Sequence, residues 1–135
     1  MGAVQPAVAR RQSSAAKTQI CGTPLLSGVE LVPTGPQFQL MAFLYDVDPK
    51  TNKGRLIAHG TRSVWAEEGA KPGQRFEMEQ IHFHTCCYEV PDGHQVGLGL
   101  SMQDGLYEPP AKNITLSLSL NFAKATAKLF LPIVQ

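Results

Sequence analysis

FQLMAFLYDVDPKTNKGRLIAHGTRSVW, residues 38–65, reads as strand, turn, strand. Its first arm, Phe38-Gln39-Leu40-Met41-Ala42-Phe43-Leu44-Tyr45, is apolar at nearly every position. That pattern predicts a strand covered on both faces, or nearly so. The middle, Asp46-Val47-Asp48-Pro49-Lys50-Thr51-Asn52-Lys53-Gly54, gathers Asp, Pro, Asn and Gly. Each of these favours a turn for its own conformational reason. Arg55-Leu56-Ile57-Ala58-His59-Gly60-Thr61-Arg62-Ser63-Val64-Trp65 then returns as the second arm.

Outward from this hairpin the same alternation of short strands and turns continues. Upstream, residues 19–22 and 25–32 read as strands, separated by the turn Gly22-Thr23-Pro24, with Gly28 placed to make a bulge. Downstream, a polar loop at residues 66–73 leads into residues 75–89, the longest strand candidate. There Phe76, Met78, Gln80, His82, His84, Cys86 and Tyr88 share one face, and Ile81 and Phe83 lie on the other. The apolar side changes midway, which predicts a bend near Gln80 or two successive strands. Pro91-Asp92-Gly93 is a tight turn, and residues 95–102, 114–120 and 127–131 are further strands. Ile114, Leu116, Leu118 and Leu120 alternate with three hydroxyl residues, a half-buried strand pattern. About eight strands with turns between them and no long helix predict an all-β sandwich or barrel; eight strands in two sheets fit a jelly roll.

At 135 residues the chain has the length of one domain. Residues 1–17 are rich in Ala, Gln and Ser and contain no acidic side chain. They read as a mobile N-terminal tail, with a short amphipathic helix through residues 8–16 or a targeting peptide as alternatives. Residues 18–135 form the sandwich. The charged share of 17% is low and the net charge is +1. No basic stripe offers a footprint for nucleic acid, and no apolar run reaches the ~18 residues of a membrane span. Three cysteines, Cys21, Cys86 and Cys87, two of them adjacent, argue against a disulfide framework and for a reducing, cytoplasmic location.

Three pieces stand in order: Leu44-Tyr45-Asp46-Val47-Asp48-Pro49, then Arg55-Leu56-Ile57-Ala58-His59-Gly60, then Tyr88-Glu89-Val90-Pro91-Asp92-Gly93-His94. With Gly22-Thr23-Pro24 ahead of them, residues 18–134 resemble the C-terminal domain of the X-prolyl dipeptidyl-peptidase and cocaine-esterase family of serine hydrolases. The resemblance implies a galactose-binding-like jelly roll. It also implies that the catalytic triad belongs to a separate α/β-hydrolase domain, which these residues do not contain. No G-x-S-x-G elbow is present, and no catalytic residue carries over. Asp92 departs from the small residue usual before Gly93-His94. His84 departs from the bulky residue usual there and makes that strand face more polar.

Two clusters carry metal-ligand chemistry on paper. Period two puts His82, His84 and Cys86 on one face of a strand, with imidazole and thiolate suited to zinc and His59 or His94 as a fourth ligand. Asp46 and Asp48 sit in a turn with Asn52 and Gly54, resembling a calcium loop. Lys50 and Ile57 break the EF-hand pattern, so capping of backbone N–H groups is the plainer reading. No cofactor is expected, with calcium or zinc the candidates. For a small-molecule ligand, Trp65, Tyr107 and Tyr45 offer an aromatic platform, and Asp104, His94 and Arg62 offer polar partners. Asn113-Ile114-Thr115 matches the glycosylation sequon by chance.

The expectation is a non-catalytic β-sandwich module acting through binding or assembly. Its partner is a second copy of itself or a hydrolase domain, because the face that packs on the catalytic domain in the resembling family would otherwise be bare. One alternative is a fragment of a complete serine hydrolase, an X-Pro peptidase or esterase. The other is a carbohydrate-binding module.

Overall fold

The structure, a computed structural model, describes residues 7–9, 18–102, 116–119 and 127–134. Among these the strands are β1 (Ala7–Ala9), β2 (Thr18–Gly22), β3 (Leu25–Ser27), β4 (Val29–Pro33), β5 (Phe38–Asp48), β6 (Lys53–Val64), β7 (Phe76–Met78), β8 (Ile81–His82), β9 (Cys86–Val90), β10 (Gln95–Ser101), β11 (Leu116–Ser119), β12 (Lys128–Phe130) and β13 (Ile133–Val134). A single turn of 3-10 helix, Ala66–Glu68, follows β6.

The hairpin forms, with longer arms and a shorter turn than its sequence predicts: Asp46, Val47 and Asp48 extend β5, and Lys53 and Gly54 begin β6. β5 pairs with β6 from Phe38↔Val64 to Asp48↔Lys53, with one register slip at Leu44/Tyr45. The turn closes when Asn52 N–H donates to the Asp48 carbonyl at 2.7 Å and Lys50 N–H to the Asp48 carboxylate at 2.9 Å. Asn52 takes φ +57°, a left-handed conformation that Asn tolerates better than most side chains. β10 adds to the other side of β5 and β1 to β10, giving the order β1-β10-β5-β6. β5 is buried on both faces. Leu40, Ala42 and Leu44 enter the main core, while Met41 and Phe43 are buried on the opposite face.

The second layer is one ribbon of three chain passes, each broken into short strands. β4, β3 and β2 form the middle pass. They pair in turn with β7, β8 and β9 on one side and with β11, β12 and β13 on the other, all antiparallel. The breaks fall where backbone chemistry dictates: at Thr23-Pro24, at Gly28 with φ +72°, and at Pro132 before β13. Leu26, Val29, Leu31, Met78 and Ile81 of this layer pack on Leu40, Leu44, Ala58, Val64 and Leu98 of the other. The architecture is therefore an all-β sandwich.

The layers are also stitched along one edge. His84 N–H donates to the His59 carbonyl at 2.8 Å. A Cβ on Gly60 would lie 2.2 Å from the His82 carbonyl oxygen, so only glycine lets β6 approach β8 this closely.

Four expectations change. Residues 75–89 form three strands rather than one or two. Gly28 ends a strand instead of bulging it. Ala7–Ala9 pairs with β10, so ordered pairing reaches into the segment read as tail or helix. Finally, Cys21 and Cys87 are directly opposed across β2 and β9 and form a disulfide, leaving Cys86 free. Adjacent cysteines in a strand point to opposite faces, so Cys87 meets Cys21 while Cys86 packs on the core. A disulfide between Cys21 and Cys87 is at odds with the reducing location expected from the cysteine pattern. Among the described residues no helix is long and apolar enough to cross a membrane.

Candidate functional site

Asp46 is the buried charged residue of the described structure, 6% exposed. It sits where β5 runs toward the hairpin turn, opposite Arg55 on β6 and Val96 on β10. Burying a carboxylate is costly unless its oxygens are paired, and here both are. Tyr88 donates its hydroxyl to Oδ2 at 2.6 Å, and His94 donates from Nδ1 to Oδ1 at 2.6 Å. Tyr88 comes from β9. His94 comes from the turn after it, closed by His94 N–H to the Pro91 carbonyl at 3.1 Å, with Gly93 at φ +78°. One carboxylate thus ties the hairpin, the second layer and the start of β10 together.

The electrostatics follow from this burial. Burial pushes the Tyr88 hydroxyl above its ordinary 10.0, the hydrogen bond and charge of Asp46 push it further, and Arg55 opposes them. The cluster contains an acid, an imidazole and a phenol, and among the described residues no serine or thiol is bonded to it. Its chemistry is that of a polar lock.

The sequence-predicted residues are distributed differently from their expected groups. Asp46, a metal candidate, and His94, a ligand candidate, are partners of each other. Asp48 caps the turn, and the Lys50 N–H is the main reason its carboxyl lies below the ordinary carboxylate range. His82 and His84 are exposed. The His84 ring lies 4.7 Å from His59, edge to face. Cys86 instead packs against the core, and burial pushes its thiol up, away from the thiolate that zinc takes. The breaks between β7, β8 and β9 destroy the shared face that period two predicted. Among the described residues no three of His, Cys, Asp or Glu gather to hold a metal.

The aromatic platform also disperses. Trp65 is 56% exposed just past β6, whereas Tyr45 stacks on Phe43 near the turn end of the same hairpin. Val64 and Leu56, which mark those two places in the register, are separated by roughly 25 Å of strand. Tyr107, Asp104 and the Asn113 sequon lie outside the described residues. Trp65 has another neighbourhood. Its backbone N–H donates to Glu68 Oε2 at 2.8 Å, and Glu68 Oε1 pairs with Arg62 Nη2 at 2.5 Å.

Sequence reasoning missed Tyr88 and the Cys21–Cys87 pair. Tyr88 stood inside the third quoted motif, and its spacing of six residues from His94 was the available signal. The disulfide had no local signal, since its cysteines are 66 residues apart.

Comparison with known families accounts for the motifs that meet at Asp46. No curated protein matches this chain. Residues 14–130 match the family model described as the X-Pro dipeptidyl-peptidase C-terminal non-catalytic domain. That span takes in the hairpin, the polar lock and both layers except β1 and β13, and the chain belongs to this family of non-catalytic β-sandwich domains.

Proposed function

We propose that this chain works by docking, as a non-catalytic module whose partner is an α/β-hydrolase domain of the X-Pro dipeptidyl-peptidase kind. We further propose that its two layers close as a jelly roll. One observation carries the docking reading. Phe130, Ile133 and Val134 are 60%, 54% and 49% exposed, three large apolar side chains within five residues. They lie on β12 and β13, which have one partner strand each among the described residues. A bare strand edge carrying apolar side chains invites association. The hydrolase domain is the favoured occupant because the family name describes a domain beside a catalytic one. If these residues are one domain of a longer serine hydrolase, peptidase or esterase, the same edge packs within that chain.

The test is sedimentation velocity on the chain mixed with the purified hydrolase domain of an X-Pro dipeptidyl-peptidase. A 1:1 complex is expected, weakened at least about tenfold (about 1.4 kcal/mol) in the Phe130→Asp/Ile133→Asp variant. A complex indifferent to those substitutions sinks this edge as the docking surface. Concentration-dependent dimers of the chain alone, abolished by the same variant, would make the occupant a second copy instead.

A further inference from the structure

The breaks in the second layer open a cleft of about 760 Å³ between the layers. It lies where Gly28 interrupts the middle pass and residues 79–80 interrupt the neighbouring one. Thr61, Arg62, Glu77, Glu79, Gln80 and His82 line it, and Met78 is its main apolar wall. The volume falls within the range of small-molecule sites.

Arg62 makes the cleft more than a gap. In the register of the hairpin it faces Leu40, on the core-facing side of the sheet. Its Nη2 pairs with Glu68 at 2.5 Å and reaches Glu79 at 3.8 Å. Its Nε–H is buried and meets no acceptor among the described residues. An unpaired buried donor costs free energy and calls for an explanation, an absent ligand among them. Glu79 is 87% exposed, so its side chain can swing away and uncover the guanidinium.

We infer that this cleft binds an uncharged, hydroxyl-rich ligand, a mono- or disaccharide. The charges select the class. Glu68 neutralises Arg62, and the remaining acids, Glu77 and Glu79, repel an anion. A cation would satisfy those acids but could not accept from the Nε–H. A hydroxyl does both, donating to carboxylate or to the Gln80 carbonyl while accepting from Arg62. Vicinal hydroxyls on a rigid ring present several such groups with little conformational entropy to lose. The reading is independent of the docking edge on β12 and β13.

Nuclear magnetic resonance of the whole chain tests it directly, through the Arg62 Nε–H signal itself. That signal is assigned by its disappearance in Arg62→Lys. The probes are galactose, glucose, mannose, N-acetylglucosamine, lactose and cellobiose. A saturable shift with a dissociation constant on the order of 1 mM is expected for at least one of them. Glu79→Ala with Gln80→Ala, both exposed and tolerable to the fold, should weaken it about tenfold or more. Lys53→Ala at the hairpin tip should leave it unchanged. The proposal is overturned if no sugar moves the signal, if the double variant binds as well as the parent, or if acetyl-triglycine-amide saturates the site while sugars do not.

Discussion

β5 and β6 run unbroken for 11 and 12 residues, whereas the layer facing them is cut into strands of two to five. Both bury leucine, isoleucine or methionine completely, so apolar content does not separate them. Punctuation does. The hairpin holds its only proline at the turn, and Gly54 and Gly60 keep strand geometry within it. The opposing layer carries Pro24, Gly28 and Pro132 inside its passes. A continuous ladder stabilises itself through neighbouring pairs, while short ladders depend on ties from outside. The ties are visible: the disulfide between β2 and β9, the Thr23–Thr85 hydroxyl pair at 2.7 Å, and the Arg75–Glu30 ion pair. The interruptions also open the cleft, and the outer pass of this layer carries the exposed apolar edge.

The contrast can be broken most severely at the disulfide. Closing a loop of this length is worth about 4 kcal/mol in the chain-entropy account. Cys21→Ser/Cys87→Ser should lower stability by that order, read as the urea midpoint, and reductant should do the same to the parent. Thiol titration of the denatured, unreduced chain should find only Cys86 reactive. Three reactive thiols would refute the pairing, and the second layer would then have to hold by packing alone.

A smaller effect tests where the two regions meet. Gly60→Ala would drive a methyl group into the His82 carbonyl, so β6 and β8 must part. We expect a loss of about 2–3 kcal/mol in chemical denaturation. A loss under about 0.5 kcal/mol would mean that the stitched edge bears no strain and that the layers are held by the core instead.

The mildest test sharpens the role of the lock. Tyr88→Phe removes one donor from buried Asp46 and should cost about 1 kcal/mol at neutral pH. Tyr88 has a raised folded value, so its contribution is complete below about pH 10 and disappears as pH rises through that value. Urea midpoints measured from pH 8 to 11 should therefore fall less steeply in Tyr88→Phe than in the parent. Parallel curves would remove Tyr88 ionisation as a source of the alkaline decline.

Much of the hairpin was legible in advance, because its signals are local. Apolar runs set its arms, and Asp48, Pro49 and Asn52 set its turn. The second layer was legible in part. Alternation located residues 75–89, and the switch of apolar face correctly announced a break. The number of breaks depended on how β8 meets β6 and β3, which no window of sequence contains. The candidate residues fared likewise. Asp46 and His94 were singled out for different sites because their contact spans 48 positions.

From its residues alone the chain declared an all-β domain, a central hairpin whose first arm is covered on both faces, and a kinship carried by motifs at residues 44–49, 55–60 and 88–94. Those properties follow from periodicity, turn chemistry and residue order. Only the tertiary structure decided that Asp46 is locked by Tyr88 and His94, that Cys87 rather than Cys86 meets Cys21, and that Arg62 keeps a buried N–H without an acceptor among the described residues. Each depends on which strands become neighbours. That is settled by burying the whole core at once, and no single segment encodes it.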